Sequence, residues 1–99
     1  MSKLLTKEEI ENTLKSKEIT DWKVSEKEIE KQYEFKDFLE AMKFVNKVAE
    51  IAEKENHHPD IKIVWNKVSF NISTHSEGGL TKKDFDLAEQ INQIFKDKV

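Results

Sequence analysis

The sequence predicts an α+β fold with the element order αββαββα. In three segments apolar residues recur every three or four positions, which is typical of amphipathic helices. In two pairs of short segments they alternate with polar residues, which is typical of strands. Two hairpins between helices favour a four-stranded antiparallel sheet with three helices packed on one face. The whole chain, residues 1–99, is expected to form one domain.

A capping signal predicts where the first helix begins. Thr6 can cap the helix, and Glu9, three residues later, completes a capping box. The helix is predicted to continue to about Lys15. Residues 22–24 and 29–35 then alternate in polarity and are predicted to form the first hairpin.

The longest apolar stripe predicts a helix from Asp37 to about Asn56. Pro59 is expected to fix the end of this helix, because the residue before a proline, His58, is pushed out of the helical region. The stripe consists of Phe38, Ala41, Met42, Val45, Val48, Ala49 and Ala52.

The second predicted hairpin consists of residues 61–65 and 68–72. Asn66-Lys67 is the expected two-residue turn, with the asparagine tolerating a positive φ. A glycine turn follows, and Thr81 with Asp84 repeats the capping box and opens the last helix.

Composition narrows the class of function. The net charge is −3 without a basic stripe, so nucleic-acid binding is not expected. No segment resembles a signal peptide or reaches membrane-spanning length, so no membrane association is expected and the predicted location is cytoplasmic. Cysteine is absent, which excludes disulfides and thiolate chemistry. With 36% hydrophobic residues the core is lean, and this favours burial against a second copy.

The candidate functional residues are the three histidines and two carboxylates. His57 and His58 follow the long helix, and His75 follows the last strand. Glu53 precedes His57 by one helical turn, close enough to orient its ring, and Asp84 stands in the first turn of the last helix. Imidazoles with nearby carboxylates suit proton transfer near neutral pH.

Each of these residues also has a structural interpretation. The adjacent histidines could offset the dipole at a helix C-terminus, His75 could simply end a strand, and Asp84 could serve only as a cap. The three histidines could alternatively hold zinc with an open fourth position. Neighbouring side chains diverge, so acid/base chemistry without a metal is favoured over the zinc site. Ser73, Thr74 and Ser76 flank His75 and are placed to bind a ligand through hydroxyls and strand-end amides.

Several spaced motifs together resemble the pterin-4a-carbinolamine dehydratase family. The resemblance extends from about Trp22 to Phe95. The motifs are Phe35-x-Asp37-Phe38-x-x-Ala41-x-x-Phe44-x-x-x-Val48-Ala49, Glu53-x-x-x-His57-His58-Pro59, Trp65-Asn66-Lys67-Val68, Ser73-Thr74-His75 and Gly79-Leu80-Thr81-x-x-Asp84.

The resemblance implies an enzyme that dehydrates 4a-hydroxytetrahydropterins to quinonoid dihydropterin, in pterin recycling, without a metal or organic cofactor. His57, His58 and His75 would be the catalytic residues, with His57 and His75 as the acid/base pair. His58, held extended by Pro59, would orient the pterin. Glu53 would tune His57.

Further implications concern support of the site and assembly. Asp84 would support the site, and Ser73, Thr74 and Ser76 could bind the amide edge of the pterin. Family members form dimers or tetramers, so a homodimer or homotetramer is expected.

Three positions depart from the family pattern. An acid, a tryptophan and an arginine found in some family members are replaced here by Asn56, Ile61 and Lys83, respectively. These replacements bear on substrate preference.

Two other functions stay open. One alternative is a non-catalytic dimeric module of the same fold that stabilises or co-activates a partner protein. The other is a zinc-dependent hydrolase.

Overall fold

The computed structural model describes residues 3–97, and the predicted order αββαββα is confirmed. The elements are α1 (Lys7–Ser16), β1 (Lys23–Val24), β2 (Ile29–Glu34), α2 (Phe38–Glu55), β3 (Asp60–Val64), β4 (Lys67–Ile72) and α3 (Lys82–Lys96), with a 3-10 turn at His75–Glu77 before α3. No helix in this part of the chain combines the length and apolarity that a membrane crossing requires.

The four strands form one antiparallel sheet in the order β1-β2-β4-β3. Ile29 pairs with Ile72 and Tyr33 with Val68, and all four side chains are buried. The alternate positions, such as the pair Gln32 and Ser69, are polar. One face of the sheet therefore carries the core and receives the helices, as the period-two pattern predicts.

Aromatic rings fill the space between the sheet and the helices. Tyr33 lies 4.8 Å from Phe95 and 5.1 Å from Phe44, measured between ring centroids. Phe70 on β4 is fully buried and contacts both Tyr33 and Phe44 edge-on. Truncating such a ring typically costs about 3–5 kcal/mol.

A buried amide connects α3 to β2 and to the segment before β1. Asn92 Oδ1 accepts hydrogen bonds from Trp22 Nε1 (3.1 Å), Lys31 Nζ (3.2 Å) and the Tyr33 hydroxyl. Lys31 also pairs with Asp21. Because buried donors need partners, this cluster fixes the position of α3 on the sheet.

The long helix ends near Asn56, as predicted, but Pro59 does not set that end. Asn56, in the left-handed region with φ 51°, is the C-terminal cap of α2, and its N–H bonds to the carbonyls of Ala52 and Glu53. The chain therefore turns at Asn56, three residues before Pro59, which was expected to set the end. Asparagine is one of the few non-glycine residues that adopt this conformation readily.

The predicted turn of the second hairpin was wrong by one residue. Val64 pairs with Lys67, so the turn residues are Trp65 and Asn66, and Trp65 takes the positive φ of 51°. The buried Asn66 amide donates to the Phe35 carbonyl (2.8 Å), and the Asn66 carbonyl accepts from the Phe35 N–H (2.9 Å). This tertiary contact fixes the turn, and local sequence preference does not reveal it.

The segment before α1 is bound to the loop before α3. The Leu5 N–H donates to the Leu80 carbonyl at 2.9 Å, and Leu4 forms an isolated β-bridge with Thr81. The predicted capping box at Thr6 is confirmed, since Thr6 and Glu9 exchange backbone-to-side-chain hydrogen bonds. The first residues described thus hold the loop that follows His75.

Candidate active site

The sheet register brings the predicted site residues to one end of the sheet. Asp60, the first residue of β3, pairs with Asn71, near the end of β4. The segment that enters β3 contains His57 and His58, and the segment that leaves β4 leads to His75. Both segments therefore lie at the same end of the sheet, next to the start of α3.

His57 forms a buried pair with Asp84. His57 Nε2 lies 2.6 Å from Asp84 Oδ1, and the side chains are 11% and 0% exposed. The other carboxylate oxygen, Oδ2, accepts hydrogen bonds from the Thr81 N–H (2.8 Å) and the Thr74 hydroxyl (2.9 Å). Burying a carboxylate is expensive unless it is paired and hydrogen-bonded, and both conditions are met here.

The threonine contacts extend this network into the loop that carries His75. Thr74 Oγ1 lies 2.8 Å from Thr81 Oγ1, and both side chains are buried. The Thr74 N–H bonds to the Gly79 carbonyl (2.9 Å), and the Thr74 carbonyl accepts from the Gly78 N–H (3.1 Å). Gly78 has a φ of 77°, a conformation that favours glycine. These backbone hydrogen bonds therefore close the loop at Thr74, the residue before His75.

Glu53 pairs with His58 rather than with His57, which corrects the prediction. His58 Nε2 lies 2.6 Å from Glu53 Oε2, and the side chains are 54% and 79% exposed. The prediction assumed that the helix would continue and place residues 53 and 57 on one face. The left-handed turn at Asn56 ends the helix before that, and His57 turns inward toward α3.

His75 is exposed and only loosely held. Ser73 Oγ lies 3.4 and 3.3 Å from its two ring nitrogens, long distances that indicate a weak interaction. Ser76 is also exposed, and Pro59 is half-buried. Among residues 3–97 no hydrogen bond joins the three imidazoles directly.

The enclosed space beside His57 is small. A cavity of about 30 Å³ is lined by Glu55, His57, Lys83, Asp86 and Leu87, room for about one or two water molecules. Larger grooves, of about 780 Å³ beside α1 and about 460 Å³ beside Asp21, are lined by none of the predicted site residues. In the described range no three His, Asp or Glu side chains converge as a metal site would require.

Sequence reasoning missed one residue of the network and placed another differently. Thr81 was considered only as a helix cap, yet its hydroxyl contacts Thr74. Thr74 was expected among the hydroxyls that bind a ligand, but its hydroxyl points into the protein and bonds to Asp84. The capping-box pattern was the available signal for Thr81, and nothing local indicated the partner of Thr74.

Comparisons with known proteins agree with this fold. The family model described as pterin 4 alpha carbinolamine dehydratase matches residues 3–94. Proteins from Nostoc punctiforme and Koribacter versatilis, each named provisionally as a pterin-4-alpha-carbinolamine dehydratase, are each 49% identical over 94 residues. The match covers 95% of this chain in both cases, and 99% and 98% of the two relatives.

Two solved structures share the architecture. A transcriptional coactivator/pterin dehydratase from Brucella melitensis superposes with a TM-score of 0.86 at 33% identity, covering 93% of this chain and 98% of that one. A pterin dehydratase-like protein that is a RuBisCO assembly factor of the alpha-carboxysome gives a TM-score of 0.61 at 15% identity, covering 74% and 84%. The second likeness concerns the fold alone.

The fold and the histidine–carboxylate cluster define an α+β protein of the pterin dehydratase type. The family match spans nearly the whole described chain, and relatives close to half identical match 95% of the sequence. The chain belongs to the pterin-4-alpha-carbinolamine dehydratase family.

Proposed function

We propose that this protein dehydrates 4a-hydroxytetrahydropterin to quinonoid dihydropterin by histidine acid/base catalysis, in pterin recycling. The observation that carries the proposal is the buried His57–Asp84 pair at the end of the sheet where His58 and His75 also lie. A histidine held by a buried carboxylate is a common arrangement for proton transfer near neutral pH. Membership of the family supplies the substrate class.

The reaction needs one acid and one base. The acid protonates the hydroxyl at C4a, which leaves as water, and the base removes the proton from N5 as the C4a=N5 double bond forms. Nothing is oxidised or reduced. His57 and His75 supply the acid and the base, and His58 with Glu53 orients the pterin. Asp84 holds His57 and orients its ring.

The pterin lies on the open side of the site. The enclosed cavity beside His57 is far smaller than a bicyclic ring, whereas His58 and His75 are exposed. The ring therefore occupies the surface between these exposed imidazoles, with the strand-end groups of Ser73 and Ser76 beside its amide edge. We further propose a homo-oligomer, since Leu39 (73%) and Trp65 (67%) leave large apolar side chains in water.

The direct test is a stopped-flow measurement of 4a-hydroxytetrahydropterin decay with and without the protein. We expect acceleration over the spontaneous decay, and the same rate after treatment with a chelator. Heat-unfolded protein at the same concentration is the control for buffer and surface effects. A decay rate equal to that of the unfolded control would refute the dehydratase assignment.

The second candidate is a non-catalytic interaction module of the same fold. The exposed apolar side chains at Leu39 and Trp65 favour it, because large exposed apolar groups often mark binding surfaces. An interaction module has no use for a buried histidine–carboxylate pair. Full stability but no acceleration of decay would support this candidate.

A further inference from the structure

We propose that Thr74 and Thr81 are positioning residues for His57. Their hydroxyls form a relay that ends on Asp84 and fixes the hydrogen of His57 on Nε2, so that Nδ1 is the ring atom that exchanges protons. The kinetic part of this proposal rests on the proposed dehydratase function. The placement of the His57 hydrogen on Nε2, which defines its tautomer, is independent of that function.

The donors in the network can be counted one by one. Thr74 has a single hydroxyl hydrogen, and its 2.9 Å contact with Asp84 Oδ2 uses it, because an ionised carboxylate only accepts. The 2.8 Å contact between the two hydroxyls must then run from Thr81 to Thr74. Hydrogen bonds in such a chain polarise one another, so the Thr81 hydroxyl strengthens the Thr74 donor.

This arrangement leaves one oxygen of Asp84 for His57. Oδ2 is occupied by the Thr74 hydroxyl and the Thr81 N–H, whereas Oδ1 faces His57 Nε2 at 2.6 Å. Two donors on Oδ2 hold the carboxylate plane and prevent its rotation. An acceptor at Oδ1 requires a hydrogen on Nε2, and the second ring nitrogen then carries the lone pair in the neutral imidazole.

As a consequence, the Nδ1 atom of His57 is left without a hydrogen-bond partner in the part of the chain that the structure describes. No group within residues 3–97 donates or accepts a hydrogen bond at His57 Nδ1. The His57 side chain is 11% exposed, and Nδ1 is not among the buried atoms that lack a partner in the described residues, so this atom is open to solvent.

Thr74 also connects the two histidines proposed as acid and base. Its side chain bonds to the carboxylate that holds His57, and its backbone closes the loop that carries His75, the next residue. Both side chains of the relay are almost fully buried, Thr74 at 5% and Thr81 at 0%. Displacing Thr74 is therefore expected to disturb His57 and His75 together.

The test removes each hydroxyl while preserving side-chain shape. Thr74→Val and Thr81→Val delete the donors, and Thr74→Ser restores the first of them. Thr13→Val is the matched control, because the Thr13 hydroxyl bonds only to the Glu9 carbonyl in α1. Nitrogen-15 NMR of the imidazoles, assigned with His57→Gln, reports which ring nitrogen carries the hydrogen, and thermal unfolding shows whether each variant is folded.

In the unmodified protein with a neutral imidazole, we expect His57 to carry its hydrogen on Nε2. Thr74→Val should shift its ring signals toward a mixture of tautomers, Thr81→Val should do so less, and Thr74→Ser should restore the original pattern. In the dehydratase assay, Thr74→Val should lower kcat about tenfold with little change in KM, which corresponds to one hydrogen bond to a charged group.

The spectra distinguish failure of this proposal from failure of the proposed function. Unchanged His57 signals in folded Thr74→Val would overturn the relay, whatever the activity. A hydrogen on Nδ1 in the unmodified protein would overturn it as well. If the unmodified protein shows no dehydratase activity but the spectra change as expected, the relay stands and the proposed function fails.

Discussion

Replacing Asp84 with asparagine tests the site most directly, since the two residues have the same shape but different hydrogen-bonding capacity. The asparagine oxygen can face only one side. Two donors, the Thr81 N–H and the Thr74 hydroxyl, converge on the present Oδ2, so we expect the oxygen to stay there. The new NH₂ group then faces His57 Nε2, which must give up its hydrogen and accept. The variant should therefore hold His57 in the opposite tautomer.

The expected cost in stability is modest. The change replaces a charge-assisted hydrogen bond, typically worth about 1.5–3 kcal/mol, with a neutral one worth about 1 kcal/mol. The net loss is about 1 kcal/mol, which lowers Tm by about 4–8 °C in a protein of this size. Asp84→Ala should cost more, about 3–5 kcal/mol, because it leaves buried donors without an acceptor.

The expected cost in activity is much larger. With its hydrogen on the wrong nitrogen, His57 cannot exchange a proton with the substrate at Nδ1, and turnover should fall by about 10²-fold or more. Stopped-flow decay of 4a-hydroxytetrahydropterin gives the rate, and thermal unfolding followed by circular dichroism gives Tm. Asp97→Asn at the other end of α3 is the matched control, since the Asp97 side chain is exposed and accepts a hydrogen bond from the Gln93 amide.

Two results would contradict this reasoning. Turnover equal to that of the unmodified protein would show that Asp84 serves only as a helix cap. A loss of activity no larger than the unfolded fraction at the assay temperature would lead to the same conclusion.

Three further predictions concern the histidines, the loop and the only tyrosine. His57→Gln and His75→Gln should each lower turnover about 10²-fold. The Tm of His75→Gln should stay unchanged, because His75 is exposed. Normal turnover in either variant would remove that residue from the acid/base pair. Gly78→Ala should destabilise the protein by about 1 kcal/mol, because φ there is 77°. Gly79→Ala should change Tm little, because the added Cβ meets only the end of the flexible Leu4 side chain, at 3.2 Å. Equal melting temperatures for the two variants would contradict the conformational argument. Burial and a nearby aspartate charge raise the pKa of Tyr33 well above its ordinary value of 10.0. As the pH rises, the Tyr33 hydroxyl loses its proton in the unfolded chain before it does so in the folded protein, so the stability of the fold should fall above about pH 10. Tyrosinate absorbance that appears before the circular dichroism signal is lost would refute the raised pKa of Tyr33.

The element order could be predicted because each element has its own local pattern. The apolar period changes from two to about 3.6 at Asp37, and the capping boxes at Thr6 and Thr81 mark two helix starts. The second hairpin turn could not be predicted in the same way. Its position depends on two hydrogen bonds between Asn66 and Phe35, one from the Asn66 side chain and one to its backbone carbonyl, and these residues lie far apart in the sequence.

The candidate site was predictable in its residues but not in its pairings. Spacing alone placed Glu53 beside His57, an inference that holds only while the helix continues. One left-handed residue, Asn56, exchanges the partners, so that Glu53 contacts His58 and Asp84 contacts His57. A backbone reversal of this kind depends on the residue that caps the helix, and the spacing of the side chains does not reveal it.

The contact between Leu5 and Leu80 has a consequence for the order of assembly. These two residues lie 75 positions apart in the sequence, yet their hydrogen bond holds the loop between His75 and α3. During synthesis this loop cannot reach its final position until residue 80 has emerged and met the segment before α1. Removal of the residues ahead of Thr6 should accordingly impair turnover in the dehydratase assay before it impairs helix content.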